Sequence, residues 1–245
     1  MGIAERKQRE KEQRIELITK AAEELFLEKG LTHTTMDEIA EQCELSKAAL
    51  YLYFNNKEDL FAAIMIKAME TLYNMMATAA NKSDFSASDR LRAIGKAYLS
   101  FYKNNPGYFQ IMNHHHDPAQ EEEIHKKMAQ GLDENIKRIF AIYENIWALS
   151  IDTVRHGMEN GEFKQDTNAE EVTLGLWAGS NGVIQIMDHF RTHHKFLKEN
   201  PSFPVPHVSI ENVYIKIWEY TIDSLVMIPE DAVAKRALWN NLQPS

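Results

Sequence analysis

The chain has 245 residues, 44% of them hydrophobic, and a formal net charge of −9. This is the composition of a globular protein with ample core, and its negative balance argues against indiscriminate polyanion binding. No apolar run reaches the roughly 18 residues of a membrane span, the charged N-terminus lacks a signal-peptide core, and the single Cys43 allows no intramolecular disulfide. The expectation is a cytoplasmic protein in which Cys43 is a small buried thiol.

The charge is unevenly spread. Residues 1–57 hold 9 Lys/Arg against 11 Asp/Glu, yet residues 1–14 alone carry Arg6, Lys7, Arg9, Lys11 and Arg14 against Glu5, Glu10 and Glu12, a local excess of two positive charges. Positive charge is therefore local, so any nucleic-acid contact must come from a small shaped surface, which favours duplex recognition over coating.

Ile15, Ile18, Ala22, Leu25 and Phe26 recur at helical spacing and predict a first helix over residues 14–29, preceded by a basic tail and ended by Gly30. Two short helices follow. Thr35 with Glu38 three residues on is a capping box, and Ser46 is a second N-cap, flanked by Leu45 and Leu50 as a hydrophobic staple. Two capped helices joined by a few residues make a helix-turn-helix. On the second, predicted over residues 46–54, Leu50 and Phe54 share the core side. The opposite side shows Ala48, Ala49, Tyr51 and Leu52, with Lys47 at the first turn and Tyr53 at the flank. A solvated face is normally Lys, Glu and Gln. Small residues beside tyrosines mark a surface that another molecule approaches closely.

Asn56 caps a further helix running to about Ala80. Ser86 or Ser88 starts the next, and Asn105-Pro106 starts a short one carrying Tyr108, Phe109 and Met112. Pro118 opens a long segment, kinked near Gly131 and ending at Gly161. Thr167 or Asn168 opens a helix with Gly175, Gly179 and Gly182. Residues 200–207 hold three prolines and read as a loop, after which Ser209 caps a last helix with Val213, Ile217, Tyr220, Ser224 and Ile228 on one stripe. No alternating strand pattern of any length occurs. The fold class is all-α.

The run Gly30, Thr34-Thr35, Ile39-Ala40, Ser46-Lys47, Leu50-Tyr51-x-Tyr53-Phe54-x-Asn56-Lys57-Glu58-x-Leu60 resembles the N-terminal domain of TetR-family transcriptional regulators over about residues 14–65. Arg155-x-Gly157-x-x-x-Gly161-Glu162-Phe163 is similar, more loosely, to the family's C-terminal half. Two positions depart: Cys43-Glu44 stands where the family usually has Ala-Gly at the turn, and Ala48 where it often has Gly. Without the turn glycine, Glu44 must tolerate an unfavourable conformation. The resemblance implies a helix-turn-helix DNA-binding domain over residues 1–57 and a helical ligand-binding and dimerisation domain over 58–245. It also implies that Lys47, Tyr51, Tyr53 and Lys57, with the amide and hydroxyl of Thr35, hold phosphates, while Ala48, Ala49 and Leu52 approach base edges and thymine methyls.

The three glycines lie broadly along one side of their helix, each costing about 1 kcal/mol relative to Ala. They suit close helix approach, either within the chain or, as the resemblance implies, across a homodimer that pairs Gly175, Gly179 and Gly182 with Val213, Ile217 and Tyr220. Tyr98, Phe101, Phe109, Met112, Tyr143, Trp147 and Trp177 are either core or the lining of a small-molecule effector cavity, the second again implied by the resemblance. His114-His115-His116 with His125, and His189 with His193, are weak metal candidates, since consecutive loop histidines cannot all face one ion. The Glu122-x-x-His125 motif of di-iron bundles occurs once where two are needed, and no H-E-x-x-H, G-x-S-x-G or P-loop is present. A non-enzyme with no cofactor and no metal is expected: a ligand-responsive repressor released from a palindromic DNA operator. The alternatives are a metal-binding bundle enzyme and a protein-interaction adaptor.

Overall fold

The computed structural model describes residues 2–113, 134–192 and 209–226. Among them the regular elements are helices: α1 (Ile3–His33), α2 (Met36–Gln42), α3 (Lys47–Tyr51), α4 (Lys57–Ala80), α5 (Ala87–Asn104), α6 (Pro106–Asn113), α7 (Glu134–Glu159), α8 (Ala169–Thr192) and α9 (Ile210–Leu225). A single isolated bridge joins Phe163 and Val226, and no described helix is long and apolar enough to cross a membrane. The all-α expectation holds. The readings placed on His114–His116, Pro118, Glu122, His125, Gly131, His193, residues 200–207 and Ile228 lie outside the described residues.

Most helix starts follow from local side-chain chemistry. Asn56 Oδ1 accepts from the Asp59 amide at 2.7 Å, Ser86 Oγ from Asp89 at 3.1 Å, Asn168 Oδ1 from Glu171 at 3.0 Å and Ser209 Oγ from Asn212 at 3.3 Å. Each satisfies a backbone donor that the first helical turn leaves orphaned. The first helix differs from expectation, because the segment before Arg14 is helical and not a tail. Its Ala, Glu, Gln, Lys and Arg are strong helix formers, and i,i+4 bonds from Arg6 to Glu10 and from Gln8 to Glu12, both 2.8 Å, reinforce it. At the other end Gly30 breaks the helical path at φ 78°, ψ 161°, a region open to Gly alone.

The chain forms two compact units, Met1–Met75 with Leu99–Ile146, and Met76–Tyr98 with Trp147–Ser245. In the first, Ile18, Ala22, Leu25 and Phe26 of α1 close on Ile39 and Ala40 of α2, Leu50 and Phe54 around α3, and Leu60 and Ile64 of α4. Fully burying each large apolar side chain contributes about 1.5–3 kcal/mol. Cys43 belongs to this core, and burial pushes its thiol up from the ordinary range, so it is the inert small hydrophobe expected. Ile111 of α6 joins the same core. α6 comes close to α1 through Gly107, where a Cβ would meet Glu23 Oε1 at 2.6 Å.

In the second unit glycine again permits close approach. A Cβ on Gly95 of α5 would fall 2.5 Å from the Trp218 ring of α9, and one on Gly157 of α7 would fall 2.2 Å from Phe163. Around them runs a buried polar chain: Tyr214 Oη donates to Gly95 O at 2.8 Å, and Trp218 Nε1 donates to Ser180 Oγ at 2.9 Å. The Gly157-to-Phe163 segment folds for its own reasons. Gly161 turns at φ 80°, Phe163 is wholly buried, and the Glu162 carboxylate accepts from the Ala87 and Ser88 amides at 2.8 and 2.9 Å. The start of α5 is thus capped from some 75 residues away.

Candidate nucleic-acid interface

The geometry of α2, the turn and α3 is built almost wholly from neighbours in sequence. Thr35 Oγ1 accepts from the Glu38 amide at 3.2 Å while Glu38 Oε2 accepts from the Thr35 amide at 2.9 Å, which is the expected capping box. Lys29 donates to the same carboxylate at 2.8 Å. That bond, with those from Thr35, lowers the Glu38 pKa to about 2. Glu38 is therefore an anion at every physiological pH.

The turn closes as a Schellman motif. The Leu45 amide donates to Ala40 O at 2.9 Å and the Glu44 amide to Glu41 O at 3.0 Å, satisfying orphan carbonyls at the end of α2. That motif requires a left-handed residue at Glu44, and Glu44 sits at φ 54°, the only described non-glycine residue with positive φ. The unfavourable turn read from the missing glycine is real. It costs about 1–2 kcal/mol, offset by the two bonds and by Leu45 packing on the core.

Ser46 caps α3, accepting from the Ala49 amide at 3.2 Å. The helix is shorter than expected. It ends at Tyr51, and bonds from Leu52 to Ala49 O and Tyr53 to Leu50 O tighten the chain into a 3₁₀-like turn. The next N-cap, Asn56, follows too soon for regular helix to reach Phe54. Sidedness is as expected: Leu50 and Phe54 are buried, Ala48 is exposed, Ala49 and Tyr53 are half-buried, Tyr51 is 44% exposed and Leu52 83%. An exposed leucine beside a tyrosine and an alanine is a surface without favourable solvation of its own.

Three of the expected phosphate holders have partners within the chain. Thr35 gives both its donors to Glu38. Lys47 is paired with Asp37 at 2.7 Å across an exposed surface. Lys57 donates to Leu31 O, Thr32 O and Thr34 O at 2.8, 3.0 and 3.1 Å. An ammonium has three donors, so Lys57 is saturated and staples the end of α1 to the start of α4. Nothing in the sequence spacing signalled those carbonyls.

Of the seven effector-cavity candidates, Phe101, Phe109, Met112 and Tyr143 belong to the first unit and Tyr98, Trp147 and Trp177 to the second. Trp147 and Trp177 come together with ring centres 5.8 Å apart. Tyr98 donates to Asn181 Oδ1 at 3.0 Å. Phe101 and Phe109 are buried, Met112 packs near Ile66, Met69 and Ile142, and Tyr143 is largely exposed. Of the dimer candidates, Gly179 faces Ile217 within the chain, where a Cβ would lie 2.9 Å from Ile217 Cγ2. That glycine serves α8–α9 packing. Among the described residues nothing lies within 4 Å of where a Cβ on Gly175 or Gly182 would be, and Val213 and Tyr220 are exposed.

Residues 18–64 match the sequence model of the family described as bacterial regulatory proteins, tetR family. Among curated proteins, the nucleoid occlusion factor SlmA of Haemophilus influenzae is 28% identical over 123 residues, covering 50% of this chain. The chain spans 56% of SlmA's own length. The HTH-type transcriptional activator FasR of Mycolicibacterium smegmatis is 25% identical over 180 residues, covering 66% of this chain and 81% of that protein. Among solved structures, the regulator PfmR of Thermus thermophilus superposes with a TM-score of 0.60 at 22% identity, covering 86% of this chain and 99% of the other. At that identity the likeness is one of fold.

Proposed function

We propose that this chain, whose residues 18–64 match the sequence model of the tetR family of bacterial regulatory proteins, is a TetR-family DNA-binding regulator that acts as a homodimeric repressor released from a palindromic operator by a small apolar or mixed ligand. Residues 1–57 form the DNA-binding part and 58–245 the sensing and dimerising part. The observation that carries the reading is the outer face of α3, where Ala48, Tyr51 and Leu52 stand exposed on a helix whose start and preceding turn are rigidly capped. In the major groove Ala48 and Leu52 meet thymine methyls. Tyr51 and Tyr53 reach phosphate, and Lys47 does so by releasing its exposed bond to Asp37. Thr35 and Lys57 shape the domain instead.

A symmetric dimer needs half-sites about 34 Å apart. The open glycines of α8 and the exposed Val213 and Tyr220 of α9 are the surface that supports pairing. An effector that favours one spacing of the α3 helices changes operator affinity about 5- to 150-fold. Because FasR carries the name of an activator, activation is the second reading. A reporter that rises on deletion of the regulator supports repression, and one that falls supports activation.

The decisive experiment is selection of bound sequences from random duplex DNA, repeated with candidate small molecules. Enrichment of a palindrome is expected, and failure to enrich one overturns the reading. Tyr51→Ala removes the groove face and is expected to abolish binding to the selected palindrome while the dimer persists on size exclusion. Unchanged affinity would mean that the face is wrongly assigned.

A further inference from the structure

Duplex binding needs cations, and the helix-turn-helix supplies few that are unengaged. Lys29 is held by Glu38 and Lys47 by Asp37, and Lys57 is spent on three carbonyls. The missing charge lies on α1. At about 100° per residue, Lys7, Lys11 and Arg14 fall within an arc of about 60°. Arg6 and Arg9 fall well outside it, and Lys20 lies on the far side. Arg6 is tied to Glu10 at 2.8 Å, whereas Lys7, Lys11 and Arg14 are exposed and make no ion pair among the described residues.

The direction of this arc is fixed by the core. Ile18, Ala22 and Leu25 occupy the same side of α1, and they belong to the core that α1 shares with residues of α2, α3 and α4. The basic stripe therefore continues the inward face of α1 past the end of the core, on the side where α2 and α3 lie. It leaves the domain beside the α2–α3 turn, for the Cys43 sulfur lies 4.0 Å from Leu17 O and Arg14 acts electrostatically on that thiol. From Lys7 to Arg14 the helix rises about 10 Å, a length that faces two or three phosphates along one wall of a groove. The i,i+4 bonds of Arg6 and Gln8 hold the segment helical, so the three cations are displayed at fixed spacing with little ordering cost on binding.

We infer that the N-terminal turns of α1 are a second DNA contact, in which Lys7, Lys11 and Arg14 grip the phosphate backbone beside the groove entered by α3. This rests on the DNA-binding reading above and adds a partner surface to it. The contact is to backbone alone, so it raises affinity for every duplex alike.

The test uses the full-length chain and a mixed-sequence duplex, so that no operator is required. Lys7→Gln, Lys11→Gln and Arg14→Gln are combined, glutamine being a good helix former, and Lys20→Gln, exposed on the far side of α1, serves as the control. Helicity by circular dichroism and size exclusion confirm the fold. The triple variant is expected to lose about 10- to 100-fold in affinity near physiological salt and to flatten the log–log salt slope by about 2–3, with Lys20→Gln close to the parent. An unchanged slope in a folded triple variant overturns the stripe while leaving the α3 reading intact. Loss of the selected palindrome by Tyr51→Ala with the stripe's slope preserved separates the two surfaces. A parent that binds no duplex overturns both.

Discussion

Two of the turns between described helices solve the same problem with opposite means. The α2–α3 turn uses Glu44 at φ 54°, closed by bonds between residues three to five apart, and leaves its outer surface bare. The turn after α7 uses Gly161 at φ 80°, and everything around it points inward: Phe163 against Gly157, and Glu162 onto the start of α5. The first turn keeps strain and an exposed apolar face next to it. The second has every conspicuous residue engaged in packing or capping. Conspicuous spacing in a sequence thus marks an exposed face in one place and internal architecture in the other, and only the destination of the side chains separates them.

The sharpest way to break the contrast is Phe163→Ala. Emptying a wholly buried ring site is expected to destabilise by about 3–5 kcal/mol in chemical denaturation, and a loss near 1 kcal/mol would show that the Gly157 notch is not a tight seat. Glu162→Ala comes next. Two charge-assisted bonds are worth about 1–3 kcal/mol each, discounted for partial exposure, so a loss of about 2 kcal/mol is expected at neutral pH. Burial alone would raise the Glu162 pKa, but the bonds from Ser88, Ala87 and Ser86 outweigh it and lower the value. A depressed folded pKa contributes stability that is present above the unfolded value near 4.5 and lost as pH falls through the folded one. The gap between parent and Glu162→Ala should therefore narrow on acidification below that value, and a pH-independent gap would refute the cap.

At the first turn the sign reverses. Glu44→Gly relieves the left-handed strain and is expected to stabilise by about 1 kcal/mol, less what glycine adds to the unfolded chain's freedom. Destabilisation would mean that the Glu44 side chain holds something more than its φ. The smallest expected effect on stability is Leu52→Ser, within about 0.5 kcal/mol because the side chain is 83% exposed, though with weakened operator binding. A loss of 2 kcal/mol or more would make Leu52 a packing residue.

Much of this was legible in one dimension. Thr35, Ser46, Asn56, Ser86, Asn168 and Ser209 start helices because capping is a contact between residues two or three apart. Leu50 and Phe54 turn inward because helical period fixes sidedness. The strained Glu44 could be foreseen from a turn that lacks its glycine. Segments whose fate depends on partners elsewhere were not legible. The turns before Arg14 read as a tail because they have no apolar stripe, yet their own i,i+4 pairs make them helical. Lys57 carried the pattern of a phosphate ligand and found three carbonyls more than twenty residues upstream. Gly179 carried a pattern that fits a subunit contact or packing within the chain, and it found Ile217 of its own chain.

The sequence by itself thus determined most helix starts, their caps and the outward side of α3, since all of these arise from contacts within one or two turns. Tertiary structure alone decided which cations remained unengaged, which glycine faced inward and which carboxylate capped a distant helix. Those outcomes depend on where residues far apart in the chain come to rest, and a saturated ammonium or a filled notch can be recognised only once its partners are in place.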